Sequence, residues 1–160
     1  GIKTGYTGNA GYCLAFSMVV DKDKDNEIRH RMIGVVLGAN HKEKRTSASL
    51  SILRYGKENF STKRVMEKDK LIGKYIKGLE ELEVTLKSED ELYATLKNTE
   101  NLKSQITLKE LKYPVKKGDT IGVIKYFTET GQVIGSVDII SANDVDNISF
   151  ITKIKMIFTD

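Results

Sequence analysis

The sequence contains few of the residues that crosslink or interrupt small folds. Its 160 residues include one cysteine, one proline and no tryptophan. A lone cysteine excludes an internal disulfide and a multi-cysteine zinc site. No apolar run approaches the roughly 20 residues that a transmembrane helix needs. With 39% hydrophobic and 30% charged residues, the composition is typical of a globular protein.

Positive charge is concentrated in the first part of the chain. Residues 1–64 contain 12 Lys and Arg against 6 Asp and Glu, whereas residues 65–160 contain 14 against 16. Arginine has a planar fork of donors that suits carboxylate and phosphate groups. The first part is therefore the better candidate for binding an anion, and a solvated basic face is the alternative. All the arginines lie there: Arg29, Arg31, Arg45, Arg54 and Arg64.

The first part has the pattern of a strand, a hairpin and a helix. A short strand over residues 1–5 precedes a glycine-rich loop. Two apolar runs, Tyr12–Val20 and Ile28–Leu37, flank a charged turn and predict a hairpin. Helical spacing follows from about His41 to Tyr55. Gly56 stands where a helix C-cap glycine is expected.

The second part has the pattern of a small β domain. Short β-like segments separated by charged or glycine-containing turns favour a sandwich or barrel. The predicted strands are Lys63–Met66, Leu71–Ile76, Leu82–Leu86, Leu92–Leu96, Ser104–Leu108, Thr120–Phe127 and Val133–Ile140. Ser149–Phe158 has helical apolar spacing, so it is either a short helix docked on the core or the start of a membrane-surface helix.

Three features that could suggest metal or nucleophile chemistry are better explained structurally. Asp21-x-Asp23-x-Asp25 resembles the opening of a calcium loop, but Asn26 replaces the required glycine and Met32 the required glutamate. We interpret it as a solvated turn. Cys13 lies in an apolar strand, which predicts a small buried residue. The two histidines, at positions 30 and 41, lack metal-ligand spacing.

The start of the chain carries a stronger signal. Lys3-Thr4-Gly5 alone is weak, since three such common residues meet by chance in roughly a few per cent of chains this long. With its flanks it reads Gly1-Ile2-Lys3-Thr4-Gly5-Tyr6-Thr7-Gly8-Asn9-Ala10-Gly11-Tyr12. This string resembles Gly-Ile-Lys-Thr-Gly-x-Thr-x-x-Ala-Gly-Tyr of the serine D-alanyl-D-alanine carboxypeptidases, the low-molecular-mass penicillin-binding proteins. In that fold K-T-G is the third motif, after S-x-x-K and S-D-N.

The resemblance extends along nearly the whole chain and is more specific in residues 1–56. Val35–Ala39 resembles the family's next core strand, and Arg45 stands near the start of its final helix. Leu53–Gly56 resembles the end of that helix. The remainder, including Tyr113–Gly122, resembles the family's C-terminal β domain.

The resemblance implies a role for each residue of the third motif. Lys3 would orient a hydroxyl and hold a proton relay beside the nucleophile. Thr4 would hydrogen-bond a terminal carboxylate, and Gly5 would let a peptide ligand lie against the strand. The backbone N–H of Tyr6 would be one of two oxyanion-hole donors. Arg45 would bind the substrate carboxylate, or else is a surface helix arginine. No metal and no cofactor is implied.

The first two family motifs are expected before residue 1. No serine of the chain is followed by lysine three positions later, so Ser-x-x-Lys is absent. Ser-x-Asn is expected to be absent from this chain as well, because by the family's order both motifs should precede residue 1. We therefore expect this chain to be the C-terminal part of a longer enzyme, without the nucleophile, the general base and the second oxyanion donor. Alone, it is expected to be inactive.

The resulting expectation is an α+β protein in three parts. Residues 1–62 would be the end of a transpeptidase/β-lactamase-like catalytic domain, made of antiparallel strands plus a helix. Residues 63–148 would be a mostly β sandwich, and residues 149–160 the start of an amphipathic tail. Because the apolar strands of the first part need partners, we expect the missing N-terminal portion, a dimer or a swapped assembly to cover them.

The implied function of the intact protein is removal of the terminal D-alanine from peptidoglycan stem peptides through an acyl-serine intermediate. β-Lactams would be its other ligands. It would act outside the cytoplasmic membrane of a bacterium, in the cell wall or held peripherally on the membrane. A non-catalytic wall-binding or scaffold protein of the same fold is the alternative. A nucleic-acid-binding β domain is disfavoured, because aromatic residues are 8% and the β-rich part is acidic.

Overall fold

The computed structural model describes residues 3–76 and 82–146. The structure is mostly β with one long helix. The described residues divide into two compact units. Residues 3–63 and 95–99 form the first unit; residues 64–76, 82–94 and 100–146 form the second. The C-terminal residues expected to form an amphipathic tail, 149–160, lie outside the described part.

The first unit is a three-stranded antiparallel sheet with a helix packed on it. The elements are β1 (Lys3–Thr7), β2 (Gly11–Val20), β3 (His30–Ala39) and α1 (Lys42–Asn59). Strand β2 is central, and the helix contacts both β2 and β3. Both predicted strands of the hairpin form, and the predicted turn joins them.

The hairpin buries one face and leaves the other open. Even-numbered residues of β3 from His30 to Val36 are half-buried beneath α1, and Met32 contacts the helix at Gly56. The ring of Phe16 lies over its cross-strand partner Gly34, where a Cβ would collide with it. Odd-numbered residues from Arg31 to Leu37 are exposed, including Ile33 and Val35. This alternation is the period of two that an extended strand imposes.

The helix ends later than its sequence pattern predicts. Gly56 was expected as a C-cap, but α1 continues to Asn59 and Phe60 is its C-cap. Gly56 is instead buried inside the helix, where the Met32 side chain occupies the space that a Cβ would need. Close packing of a strand against the helix, which is a tertiary effect, therefore explains this glycine.

The second unit is built on a five-stranded antiparallel sheet. The strands are β5 (Leu71–Tyr75), β6 (Val84–Ser88), β8 (Leu102–Leu108), β9 (Thr120–Thr128) and β10 (Val133–Ser141). Each strand matches a segment predicted from the sequence to within a few residues. Their order in the sheet is β5-β6-β10-β9-β8, so β10 is the central strand and β6 and β9 are its neighbours.

The core of the second unit lies on one face of this sheet. Alternate residues of β6 and β9 point into it, and Val84 and Ile139 are fully buried. Met66 and the half-buried Leu92, which come from strands outside the five-stranded sheet, pack into the same cluster. Burying such side chains stabilises the unit by about 1.5–3 kcal/mol each.

A two-stranded sheet, β4 (Phe60–Met66) with β7 (Leu92–Lys97), completes the described strands. Within the first unit, the hydroxyl groups of Thr62 and Thr95 are 2.7 Å apart and hydrogen-bonded. The Asn98 side chain donates to the Glu58 carbonyl at 3.0 Å. These bonds attach residues 95–99 to the end of α1 and the start of β4. No helix within the described ranges is both long and apolar enough to cross a membrane.

Candidate functional site

The residues of the third motif lie on an exposed edge strand. β1 contains Lys3, Thr4, Gly5 and Tyr6, and every residue of the strand is exposed. Of the strands described, only β2 pairs with β1. One edge of β1 is therefore available to an added strand, which is how many domains bind extended peptides.

The two faces of β1 differ in their surroundings. Tyr6 pairs with Tyr12 across the sheet, and Tyr12 lies beneath Arg45 of α1. Since strand residues alternate between faces, Thr4 shares the helix face with Tyr6. Lys3 lies on the opposite face, in register with Ala15 and the exposed row of β3. The structure thus brings Thr4 and Arg45 to one face and Lys3 to the other; a common cleft for all three stays a prediction.

Gly5 is a glycine that the packing of this chain does not require. A Cβ placed on it would meet only the Cβ of Cys13, at 3.9 Å, which is an ordinary contact. Its φ lies outside the left-handed region, where glycine is favoured. The missing side chain therefore leaves free space beside the exposed edge of β1.

Gly11 is required by the backbone itself. Its φ is +64°, and a Cβ there would lie 3.0 Å from the carbonyl oxygen of Ala39. The close approach of Gly11 to β3 accompanies a β-bulge between Tyr12 and Leu14. The Ala-Gly-Tyr part of the sequence string therefore brings the Tyr12 ring to the end of the sheet where α1 begins.

A stack of three side chains links the K-T-G strand to the helix. The ring centroids of Tyr6 and Tyr12 are 4.4 Å apart, with the rings tilted by 35°. The guanidinium carbon of Arg45 lies 5.9 Å from the centroid of the Tyr12 ring. Arg45 Nε is buried and has no hydrogen-bond partner among the described residues. Sequence reasoning selected Tyr6 and Arg45 but missed Tyr12, whose only signal was its place at the end of the quoted string.

The Asp-rich turn between β2 and β3 is held by hydrogen bonds to the Asp23 side chain. Asp23 Oδ1 accepts hydrogen bonds from the backbone N–H groups of Asp25 and Asn26 and from the Asn26 side chain. Asn26 is buried, and its Oδ1 accepts the Thr62 N–H at 3.0 Å. Hydrogen bonds from the Asp25 N–H and the Asn26 side chain lower the pKa of Asp23. The predicted turn forms between β2 and β3, and Asp21, Asp23 and Asp25 are exposed within it.

Cys13 and His30 are the remaining residues considered for nucleophile or metal chemistry. Cys13 is only half-buried, in contrast to the buried position expected for it, and its Sγ lies 3.4 Å from the Ala10 carbonyl oxygen as a weak donor. His30 Nδ1 is buried without a partner among the described residues. Within the described ranges, no three His, Cys, Asp or Glu side chains form a group that could bind a metal ion.

The expectation that Ser-x-Asn is absent from this chain is wrong, because one tripeptide matches its spacing. Ser141-Ala142-Asn143 follows K-T-G in the chain and lies at the end of β10. Ser141 is fully buried and donates to the Asn143 carbonyl at 2.6 Å. The Asn143 side chain accepts the Thr85 N–H and donates to the Glu83 carbonyl. All these bonds hold loops within the second unit, so the match is structural.

Comparison with known proteins places the second part of the chain in a family. Residues 60–147 match the family described as "Penicillin-binding protein 5, C-terminal domain". The match covers over half of the chain and all the strands from β4 onward.

Individual relatives cover more of the chain. D-alanyl-D-alanine carboxypeptidase DacD of Escherichia coli is 30% identical over 83% of this chain and 34% of its own length. D-alanyl-D-alanine carboxypeptidase DacF of Bacillus subtilis is 26% identical over 100% of this chain and 40% of its own. The crystal structure of DacD from Francisella tularensis matches 91% of this chain and 35% of its own, with a TM-score of 0.58 and 28% identity.

The chain therefore spans between about a third and two fifths of the length of the curated relatives it matches. The family match over residues 60–147 and the relatives over nearly the whole chain agree with the resemblance that starts at Lys3. This chain belongs to the family of the penicillin-binding protein 5 C-terminal domain, and over most or all of its length it is similar to part of the proteins named D-alanyl-D-alanine carboxypeptidases.

Proposed function

We propose that this chain supplies the K-T-G wall of a serine-type D-Ala-D-Ala carboxypeptidase. The intact enzyme removes the terminal D-alanine from peptidoglycan stem peptides through an acyl-serine intermediate. Its nucleophile lies on sequence outside these 160 residues. The observation that carries the proposal is the exposed edge of β1, where the packing of the chain gives no reason for Gly5 to lack a side chain.

In this proposal, the two faces of β1 have different roles. Thr4 and Arg45 share a face, and both can bind a carboxylate, one through a hydroxyl and one through a charge-assisted contact. Lys3 lies on the face that α1 leaves open, where a portion bearing Ser-x-x-Lys has room to pack. A substrate added along the edge of β1 is then in reach of groups on both faces.

The Tyr6 backbone N–H has the remaining role, as one donor of the oxyanion hole. Such a donor stabilises the transition state by about 2.7–4 kcal/mol. Tyr6 follows Gly5 directly on the exposed strand, so its main chain is next to the space that the missing Cβ leaves. The second donor would come from the nucleophile-bearing portion.

The proposed domains match the two compact units closely except at residues 95–99, which belong to the first unit. Residues 1–62 end a transpeptidase-like catalytic domain, and residues 63–148 form a β sandwich. The sandwich is supported by Met66 of β4 and Leu92 of β7, which pack into the core of the five-stranded sheet. The enzyme acts outside the cytoplasmic membrane, on peptidoglycan and on β-lactams as its inhibitors.

Labelled penicillin tests this proposal. The full-length protein should be acylated and should release D-alanine from a peptide that ends in D-Ala-D-Ala, whereas the 160-residue chain alone should do neither. Lys3→Ala in the full-length protein should abolish acylation. Lys125→Ala, at an exposed lysine of β9, is the control and should be acylated normally. Acylation of the chain alone, or a full-length protein that binds peptidoglycan without acylation, would contradict the proposal; the second result favours a scaffold.

A further inference from the structure

The charge of the Arg45 side chain is not compensated within the described residues. It forms no ion pair there, and its buried Nε has no hydrogen-bond partner. Arg29, in contrast, pairs with Asp21 at 3.2 Å, and Arg31 donates to Ser17 at 3.0 Å. A guanidinium that is partly buried without an anion is costly unless a ligand supplies the anion. The arrangement therefore points to a negatively charged group that comes from outside the described residues.

The position of Arg45 is set by an aromatic ring. Tyr12 lies under the guanidinium, at 5.9 Å from ring centroid to Cζ, which is within cation–π range. The Tyr6 ring packs on Tyr12 at 4.4 Å and has 61% of its surface exposed. Tyr6 and Tyr12 are direct cross-strand partners, so the sheet fixes both rings. The distance from Arg45 to the end of the K-T-G strand is thus determined by two stacked rings.

We propose that Tyr12 is a positioning residue for substrates with a free C-terminal carboxylate. Its ring, supported by Tyr6, holds the Arg45 guanidinium where it receives the carboxylate of a peptide lying along β1. This inference rests on the proposed carboxypeptidase function and adds to it the residue that sets its preference for a terminal carboxylate.

The physical reason lies in the flexibility of arginine. A free arginine side chain has many rotamers, and ordering one on binding reduces affinity. A guanidinium already stacked on a fixed ring loses little freedom when the carboxylate arrives. Removing the ring should therefore weaken substrate binding without changing the groups that perform acyl transfer.

The experiment uses the full-length enzyme and two matched substrates. One is a peptide ending in D-Ala-D-Ala, and the other is the same peptide with its C-terminal carboxylate amidated. Tyr12→Leu should raise KM for the acid peptide about tenfold and change kcat less than about twofold. For the amidated peptide, Tyr12→Leu and wild type should give the same kinetic constants. Tyr12→Phe, which keeps the ring, should restore the wild-type KM.

Two further variants separate positioning from general destabilisation. Phe16→Leu changes a buried β2 ring on the helix face, so it should lower the melting temperature but leave KM unchanged. Arg45→Gln should raise KM for the acid peptide, and adding Tyr12→Leu to it should raise KM no further. This non-additivity is expected when one residue acts through the other.

The outcomes are distinguishable. If wild-type enzyme hydrolyses the acid peptide but Tyr12→Leu has a normal KM, or raises KM equally for the amidated peptide, the positioning role is wrong and the carboxypeptidase function stands. Additive effects of Tyr12→Leu and Arg45→Gln would also overturn the role. If correctly folded wild-type enzyme hydrolyses neither peptide, the proposed function fails, and this inference fails with it.

Discussion

At the scale of single residues, the glycines differ in whether the fold requires them. Gly11 needs its left-handed φ, and Gly34 is required because the Phe16 ring occupies the place of a Cβ. Gly5 has neither constraint. From the sequence, all three are simply glycines in or beside strands. Only the packing around each glycine shows that the fold requires Gly11 and Gly34 and does not require Gly5.

Substitution at Gly5 should therefore separate stability from activity. Gly5→Ala should leave the melting temperature unchanged or slightly raised, because the Cβ fits and the unfolded chain loses freedom. In the full-length enzyme it should lower kcat/KM for the acid peptide by at least about tenfold, because the ligand can no longer approach the strand. Gly8→Ala, also free of contacts, is the control and should change neither quantity. An equally active Gly5→Ala enzyme would contradict the proposed binding mode.

Asp23 should make stability depend on pH in the acid range. Hydrogen bonds from the Asp25 N–H and the Asn26 side chain hold its pKa below the ordinary value of 3.8. Its contribution is therefore present above that value and is lost as the pH falls through the lower folded-state pKa. Asp23→Asn keeps an oxygen acceptor but does not titrate, so its melting temperature should fall less steeply below about pH 4. If the melting temperatures of wild type and Asp23→Asn fall in parallel from pH 7 to pH 2, the charge of Asp23 does not contribute to stability.

At the scale of elements, periodicity predicted the strands well and the helix end poorly. The alternation of apolar and polar residues along a strand involves residues close in sequence, so it can be recognised without the three-dimensional structure. The extension of α1 past Gly56 depends on Met32, a residue in another element. The local signal favoured a cap, and tertiary packing decided otherwise.

The five-stranded sheet offers a sharper test of such packing. A Cβ at Gly122 in β9 would collide with the Thr107 carbonyl oxygen of β8, which is backbone and cannot move aside cheaply. Gly122→Ala should therefore destabilise the protein by about 1–3 kcal/mol in urea unfolding. Gly73→Ala in β5, where nothing lies within 4 Å, should not. Equal stability of the two variants would mean that β8 and β9 are packed less closely than described.

Across the whole molecule, the contacts most important for the site join residues far apart in sequence. The proposed site residues come mostly from the resemblance of the string around Lys3-Thr4-Gly5 to a family. The contact of Tyr12 with Arg45, and the bond from the Thr62 N–H to Asn26, join positions more than 30 residues apart. Nothing in the local pattern specifies such pairs, because they are set by how α1 and β4 pack on the hairpin.

The open face of β3 should govern association of the isolated chain. Ile33, Val35 and Leu37 are 78%, 55% and 73% exposed on the face opposite α1. Under the proposed function, this face packs against the remainder of the catalytic domain. The isolated chain should self-associate with rising concentration in analytical ultracentrifugation, because such a patch is costly in water.

Replacing these three residues by threonine should keep the isolated chain monomeric. Leu71→Thr, at an exposed leucine of the second unit, is the control and should associate like wild type. A wild-type chain that stays monomeric at all concentrations would contradict the prediction.

Residues 95–99 belong to the first unit although the chain before and after them belongs to the second, and this affects what proteolysis releases. The chain crosses between the units three times, near residues 63, 94 and 99. A protease that cuts once between Lys63 and Arg64 would leave both pieces joined, because residues 95–99 remain bonded to Thr62 and Glu58 of the other piece. Limited proteolysis should therefore give a nicked complex that separates only in denaturant, and a recombinant chain starting at Arg64 would carry a strand segment without its partners.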